Sequence, residues 1–330
     1  MPAPAQPTPW LIALVCGLLS TVLFMLGDLA VVGADPATTL YFILNTFSPL
    51  PLLIIGFLYG YRHAYAGSAA GLLAILAIAP EKWDAAKYIL LLAAPISLTC
   101  FLYYRKMVDA KGKVRLYNGV GFMRSMTAFG LFLCPVLTIL YQNIAPLREK
   151  LEAFILSFYE QMEKAITLQD GASLESIITQ QDFYSLALPY VAAATVLNML
   201  MLLTLNALIA HTLVNKTGKA VRTAPKMANL YLNVRYSIAF ALLFLGQLFL
   251  VDNGGNFLGG LWMILFFPLT LAGLGLIHRW MTPKKPAENS KIWLFYILFF
   301  VLLPYSLFAV SMLGLAQPLA WRKTPRGKKT

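Results

Sequence analysis

Asp28 is the only carboxylate inside the long apolar stretches of this 330-residue chain. A carboxylate in hydrocarbon is costly, so it marks either a ligand-facing position or a solvated helix end. Asn45 and Ser48 precede Pro49-Leu50-Pro51 in the next apolar stretch. Two prolines so close remove two backbone donors and clash with the preceding turn, which breaks or kinks a helix. Within a membrane, irregular backbone is tolerated where it is buried in protein or lines a wet cavity. The break is therefore either a structural kink or a place where freed backbone groups hold a solute. Asn198 and Asn206 lie eight residues apart in a later stretch, on broadly one face, and Gln247 sits at a similar depth in the one after. These amides serve either as interhelical hydrogen bonds or as solute contacts. The candidate binding set is Asp28, Asn45, Ser48, Asn198 and Gln247. His211 and His278 fall at the ends of apolar stretches, where headgroup contact accounts for them.

Other chemistries leave no trace. The chain has no HExxH, no Walker phosphate loop, no GxSxG elbow and no paired-Cys zinc pattern. No catalytic residue, metal or cofactor is expected. Cys16, Cys100 and Cys134 each lie in an apolar run and read as small buried hydrophobes. A net charge of +12 raises nucleic acid as a partner. That reading needs basic residues clustered on a folded surface, whereas here they occupy short loops between apolar runs, so no nucleic acid is expected.

The elements that must position these residues follow from composition. Hydrophobic residues make up 59% of the chain and charged residues 12%, against about 25% charged in a soluble domain. A span needs about 20 mostly apolar residues. Nine stretches qualify or nearly so: 10–32, 40–61, 65–78, 88–104, 120–141, 186–214, 236–251, 257–278 and 293–315. Lipid offers no partner for a free backbone N–H or C=O, and the stretches lack a barrel's alternation. The expected fold is all-α, a polytopic transmembrane helical bundle of about eight or nine spans. Residues 1–330 form one transmembrane domain in contact with the lipid bilayer. The neutral, Pro-rich leader has no basic region, so the first stretch reads as a retained span.

Lys and Arg set the orientation. Arg105, Lys106, Lys111, Lys113 and Arg115 follow the fourth stretch, and Lys216, Lys219, Arg222, Lys226 and Arg235 follow the sixth. Arg279, Lys284, Lys285 and Lys291 follow the eighth. These loops belong in the cytoplasm of a bacterial inner-membrane protein, as does the N-terminus. The acid-rich connection 142–184 belongs outside. Nine straight crossings would then put the basic tail, 316–330, outside as well, against the rule.

The connection 142–184 carries an amphipathic stripe, Leu147, Leu151, Phe154, Ile155, Phe158, Met162 and Ile166, at spacings of three and four. It predicts a helix lying on the outer membrane surface or across the bundle. Gly171 is placed to end that helix, and Ser173 to cap a second one. Ala13 and Gly17, and Ala66 and Ala70 with Gly71 following, have the spacing that lets helices approach closely.

The run Ser48-Pro49-Leu50-Pro51-Leu52-Leu53, continuing through Gly56-Phe57-Leu58-Tyr59-Gly60-Tyr61-Arg62, resembles the YybS-like family of uncharacterised bacterial membrane proteins, domain of unknown function 2232. Gly275-Leu276-Ile277-His278 and Leu313-Gly314-Leu315 before a basic tail look like that family too. The stretch from Ser48 to Gly71 is also similar to the second and third helices of the S-components of energy-coupling-factor vitamin transporters. That resemblance implies a small-solute binding or transport subunit, with Ala13 and Gly17 meeting a membrane coupling subunit. The chain departs from S-components in about three extra spans and in the long outside segment. The alternative is a non-transporting membrane scaffold or assembly protein, recruiting a partner through its outside helices or basic loops.

Overall fold

The computed structural model describes residues 8–30, 36–79, 81–108, 114–116, 118–170, 178–221, 230–250, 253–281, 294–296, 298–299, 302 and 305–322. Among them, five helical segments are long and apolar enough to cross a membrane: Pro9–Leu26, Lys82–Tyr104, Gly119–Asn143, Gln180–Lys216 and Phe257–Met281. Ile43–Tyr59 and Val234–Phe249 are shorter apolar segments. The chain divides into two compact units, Met1–Phe122 with Met199–Lys226, and Met123–Asn198 with Met227–Thr330.

The first unit begins with α1 (Pro9–Ala30), whose leading proline occupies a first-turn position that needs no N–H. Its polarity is inverted relative to a soluble helix. Ala13, Gly17, Ser20 and Thr21 face inward, while Trp10, Leu11, Val15, Leu19 and Val22 are exposed. Small residues inside and large apolar ones outside are what a helix in lipid requires, because close packing rather than water exclusion joins the helices. The second apolar stretch is broken, into α2 (Pro36–Thr46) and α3 (Leu50–Tyr59), with a turn over residues 47–49. Gly60, at φ 105°, reverses the chain into α4 (Tyr61–Ile78). Next come α5 (Lys82–Tyr88) and α6 (Ala94–Tyr104), joined by a π turn at Ile89–Ala93. That wider turn precedes Pro95 and relieves the clash its ring would make with the carbonyl four residues earlier. A two-stranded ribbon, β1 (Lys106–Val108) with β2 (Val114–Leu116), then interrupts the helices in the basic segment, where the sequence alone predicts a loop.

Glycines fix the packing of α1 on α4. A Cβ at Gly17 would fall on the backbone of Gly67, and one at Gly67 would lie 2.7 Å from the Ala13 carbonyl oxygen. Gly17 meets Gly67 and Thr21 meets Gly71, so the two helices run in the same direction. One end of the unit gathers aromatic and basic groups. The Trp10 ring lies 4.3 Å from that of His63, and Lys219 sits 5.8 Å above the Tyr59 ring. Tyr103 Oη pairs with His211 Nδ1 at 3.1 Å, which brings in the ends of α6 and of α9 (Gln180–Lys216). Arg62, Arg105, Lys216 and Lys219 therefore share that end, as the positive-inside rule asks of loops on one membrane side.

The second unit holds most of α7 (Gly119–Asn143), all of α8 (Ala145–Asp170), the first half of α9, α10 (Val234–Phe249), α11 (Asn253–Ile264), α12 (Phe266–Met281) and α13 (Tyr305–Arg322). α8 ends one residue before Gly171; Ser173 lies outside the described residues. Its predicted stripe divides in two. Leu147, Leu151 and Ile155 are buried together with Tyr159, which the sequence reading passed over, whereas Phe154 and Phe158 are about half exposed.

α12 and α13 meet as closely as α1 and α4. A Cβ at Gly273 would fall on the Val310 carbonyl oxygen, and one at Gly314 on that of Leu269. Phe308 lies against Phe266, Thr270 bonds Ser311 at 2.7 Å and Gln317 reaches the Ala272 carbonyl, so the helices run in the same sense. Ahead of α13, Tyr296 reaches His278 at 3.4 Å and Phe299 shares a core cluster with Leu274 and Ile277. Tyr296 and Phe299 thus lie beside the end of α12, while α13 begins beside its start. Ser306 Oγ donates to the Phe299 carbonyl at 2.5 Å. α13 consequently points its C-terminal end toward the start of α10, where Gln317 holds Leu230 and Leu232. That is the end of the unit where α12 finishes in the basic His278 and Arg279.

Candidate functional site

Hydroxyls in membrane helices usually satisfy themselves on the carbonyl one turn back. Thr21, Thr127, Thr138, Thr195 and Thr204 do so here, at 2.8–3.0 Å. Against that background the exceptions stand out. Ser20, Ser68 and Thr99 in the first unit are buried with no hydrogen-bond partner on their hydroxyls, and neither has the Trp83 indole N–H. The buried Tyr88 hydroxyl reaches in at Gly71, beside Thr21 Oγ1, where any side chain at Gly71 would collide with both.

The broken second stretch supplies the sharpest feature of this unit. In a regular helix the Thr46 carbonyl would accept from the N–H of Leu50. Leu50 bonds Phe47 instead at 3.0 Å, and Pro49 has no N–H to offer. Asn206 of α9 fills the gap, donating from Nδ2 to the Thr46 carbonyl at 2.8 Å and to Leu202 of its own helix at 2.8 Å. Both amide hydrogens are thus used. Asn206 is fully buried, yet its Oδ1 has no partner. An orphaned buried acceptor costs about 1–3 kcal/mol, and a leucine at this position would carry no such penalty.

The predicted residues disperse around this feature. Ser48 is buried in the turn itself, and Asn45 is half-buried one residue before Thr46. The side chain of Asp28 lies outside the described residues. Asn198 is exposed; eight residues rotate a helix by about 80° beyond two full turns, which separates it from the buried Asn206. Asn198 and Gln247 both belong to the second unit, where Gln247 Nε2 donates to Tyr190 Oη at 2.6 Å. Gln247 Oε1 is enclosed without a partner as well, but the glutamine as a whole is only half-buried. Ala13 and Gly17 are covered by α4, so that face of α1 is already occupied within the chain.

The inverted polarity of α1, the close glycine contacts and the self-bonded hydroxyls all describe a protein folded in lipid. A family profile described as a predicted membrane protein, DUF2232, matches residues 12–316. The chain belongs to the DUF2232 family. No curated protein and no solved structure matches it. The matched span takes in both units and the whole of the broken stretch.

Within this DUF2232 chain, Asn206 had a sequence signal, an amide inside an apolar stretch, but its spacing from Asn198 suggested a shared face that the structure does not give them. Ser20, Ser68 and Thr99 had no signal. Serine and threonine are ordinary in membrane helices, and only coordinates distinguish a hydroxyl bonded to its own helix from one left open.

Proposed function

We propose that the chain is a small-solute binding or transport subunit of a bacterial inner membrane, with its site in the first unit beside the break between α2 and α3. The observation that supports this reading is Asn206: its Nδ2 holds the carbonyl freed by the break, and its fully buried Oδ1 is left as an open acceptor. A solute bearing an N–H or O–H would recover the lost hydrogen bond. The unpartnered hydroxyls of Ser20, Ser68 and Thr99 and the Trp83 N–H extend the set of groups available in the same unit. The likeness of the stretch from Ser48 to Gly71 to S-component helices points the same way. A coupling subunit, if one binds, meets a face other than that of Ala13 and Gly17. In this reading the chain crosses eight times, with both termini in the cytoplasm, and it has no catalytic role.

The test is a thermal-unfolding screen of the purified chain in detergent against vitamins, nucleosides and metal ions, beside mass spectrometry of co-purified small molecules. A ligand at 100 times its Kd stabilises by about 2.7 kcal/mol. The expected result is a solute that raises the unfolding temperature of the native chain and of Gln247→Leu, but not of Asn206→Leu. No shift with any solute and no co-purified molecule would overturn the proposal in favour of a membrane scaffold.

A further inference from the structure

α8 follows the C-terminal end of α7 and leads the chain to α9. One side of it is anchored: Leu151 and Ile155 form a cluster with Leu188, against which Tyr141, Phe183 and Tyr184 pack. Tyr159 closes the far end, its hydroxyl donating to the Ile178 carbonyl at 2.9 Å. That contact side accounts for Leu147, Leu151, Ile155 and Tyr159, and leaves Phe154 and Phe158 unexplained, exposed by 52% and 51%.

These two phenylalanines form an edge. At about 100° per residue, Phe154 lies on the flank of the anchored side and Phe158 at its rim, beside Leu147, and the next sector around the helix carries Lys150, Ser157 and Lys164. Glu149 and Glu160 lie on the opposite side of the helix, and Glu152 and Glu163 on the other flank, next to Tyr159 and away from the two phenylalanines. The edge also continues onto α9, because the Phe158 ring stacks 6.4 Å from Phe183, and Leu186, one turn further along this spanning helix, is 45% exposed. Aromatic rings between a spanning helix and a row of lysines, with the glutamates turned away, match the layering of a bilayer surface. Rings sit at the boundary of headgroups and acyl chains, ammonium groups meet phosphates, and carboxylates stay in water.

We propose that the Phe154–Phe158 edge of α8 is seated in the headgroup boundary of the bilayer, so that α8 lies as an interfacial helix. The lipid is identified by its chemistry: acyl chain for the rings and phosphate for Lys150 and Lys164. Held at its inner side by the protein and at its Phe edge by the membrane, α8 fixes the end of α7 and the start of α9 against one another.

Spin labelling of the full chain in vesicles of phosphatidylcholine and phosphatidylglycerol tests this. Nitroxides are placed at Phe154→Cys, Phe158→Cys and Glu160→Cys in a background where Cys16, Cys100 and Cys134 are alanine. At the two phenylalanine positions, collisions with oxygen should exceed those with a water-soluble nickel chelate several-fold, and at Glu160 the order should reverse. Equal nickel access at all three positions would overturn the proposal. So would protection of Phe154 and Phe158 from both reagents, which would mean that protein, a second copy included, covers the edge. Because two of the replaced cysteines are buried, a second measurement keeps the native ones. A photo-activated benzoylphenylalanine at position 158 of the otherwise native chain should give lipid adducts, and protein adducts in their place would refute the assignment.

Discussion

Asn206 and Gln317 are both fully enclosed carboxamides that hold stray backbone groups, one in each unit, and they differ in what they leave over. Gln317 Oε1 accepts from Leu232 N at 2.8 Å, while Nε2 donates to the Leu230 and Ala272 carbonyls at 2.8 and 3.2 Å. Each end of that amide is used, and it ties the start of α10 to α12 and α13. Asn206 spends both hydrogens on carbonyls and keeps an empty acceptor in the core. A low-dielectric interior makes a satisfied network rigid and an incomplete one costly. The second unit's amide is thus a completed fastening, whereas the first unit's leaves one acceptor unspent, the feature on which the proposed site rests.

The comparison breaks most visibly if the two units do not respond alike to crowding of their glycine contacts. Gly17→Leu and Gly314→Leu each drive a side chain into backbone, Gly67 in one unit and Leu269 in the other. Helix axes must separate, at a cost of about 3 kcal/mol or more each. Both variants should lose most of their folded yield in detergent gel filtration, and a well-folded Gly17→Leu would show that the α1–α4 contact is not the fastening described here.

The two amides come next. Gln317→Leu leaves one N–H and two carbonyls in the core without that partner, so a loss of about 3 kcal/mol is expected in a thermal or denaturant unfolding series. Asn206→Leu frees only the Thr46 carbonyl while removing an acceptor that was already unsatisfied. Its loss should stay near 1 kcal/mol. Equal losses would mean that Asn206 is fastening as well, and that its Oδ1 is served by bound water.

Much of this architecture was legible in the residues. Apolar runs located the helices because lipid leaves the backbone no other choice, and Pro49 with Pro51 located the break because their missing N–H groups act whatever the surroundings. The stripe on α8 was legible as a helix but not as two separate rows. Periodicity marks a side to be covered, and cannot say that Tyr159 joins Leu151 inside while Phe158 stays out. The parallel packing of α13 on α12 was hidden for a similar reason: an apolar run of suitable length reads the same whichever way its helix points. The site itself was least legible. Asn45 and Asn206 are both amides in apolar sequence, and only the meeting of α9 with the broken α2–α3 stretch decides which one clamps the Thr46 carbonyl.

Asn198 offers the finest discrimination, since it shares α9 with Asn206 and has the same side chain two turns earlier. It is exposed, and an amide that meets water, headgroups or lipid in both folded and unfolded states contributes little to folding. Asn198→Leu is therefore expected within about 0.5 kcal/mol of the native chain, the ordinary range for a surface change. Where a stabilising solute has been found, its thermal shift should persist in Asn198→Leu and vanish in Asn206→Leu. The pair thus separates burial from residue type as the origin of binding, since depth in the helix changes by only about 12 Å between them. Loss of the shift in both variants would require the exposed face of α9 to be covered in the membrane, and oligomeric state measured in nanodiscs would then show a second copy against Asn198. Retention in both would instead clear α9 of any role in recognition and leave Ser20, Ser68 and Thr99 to carry the site.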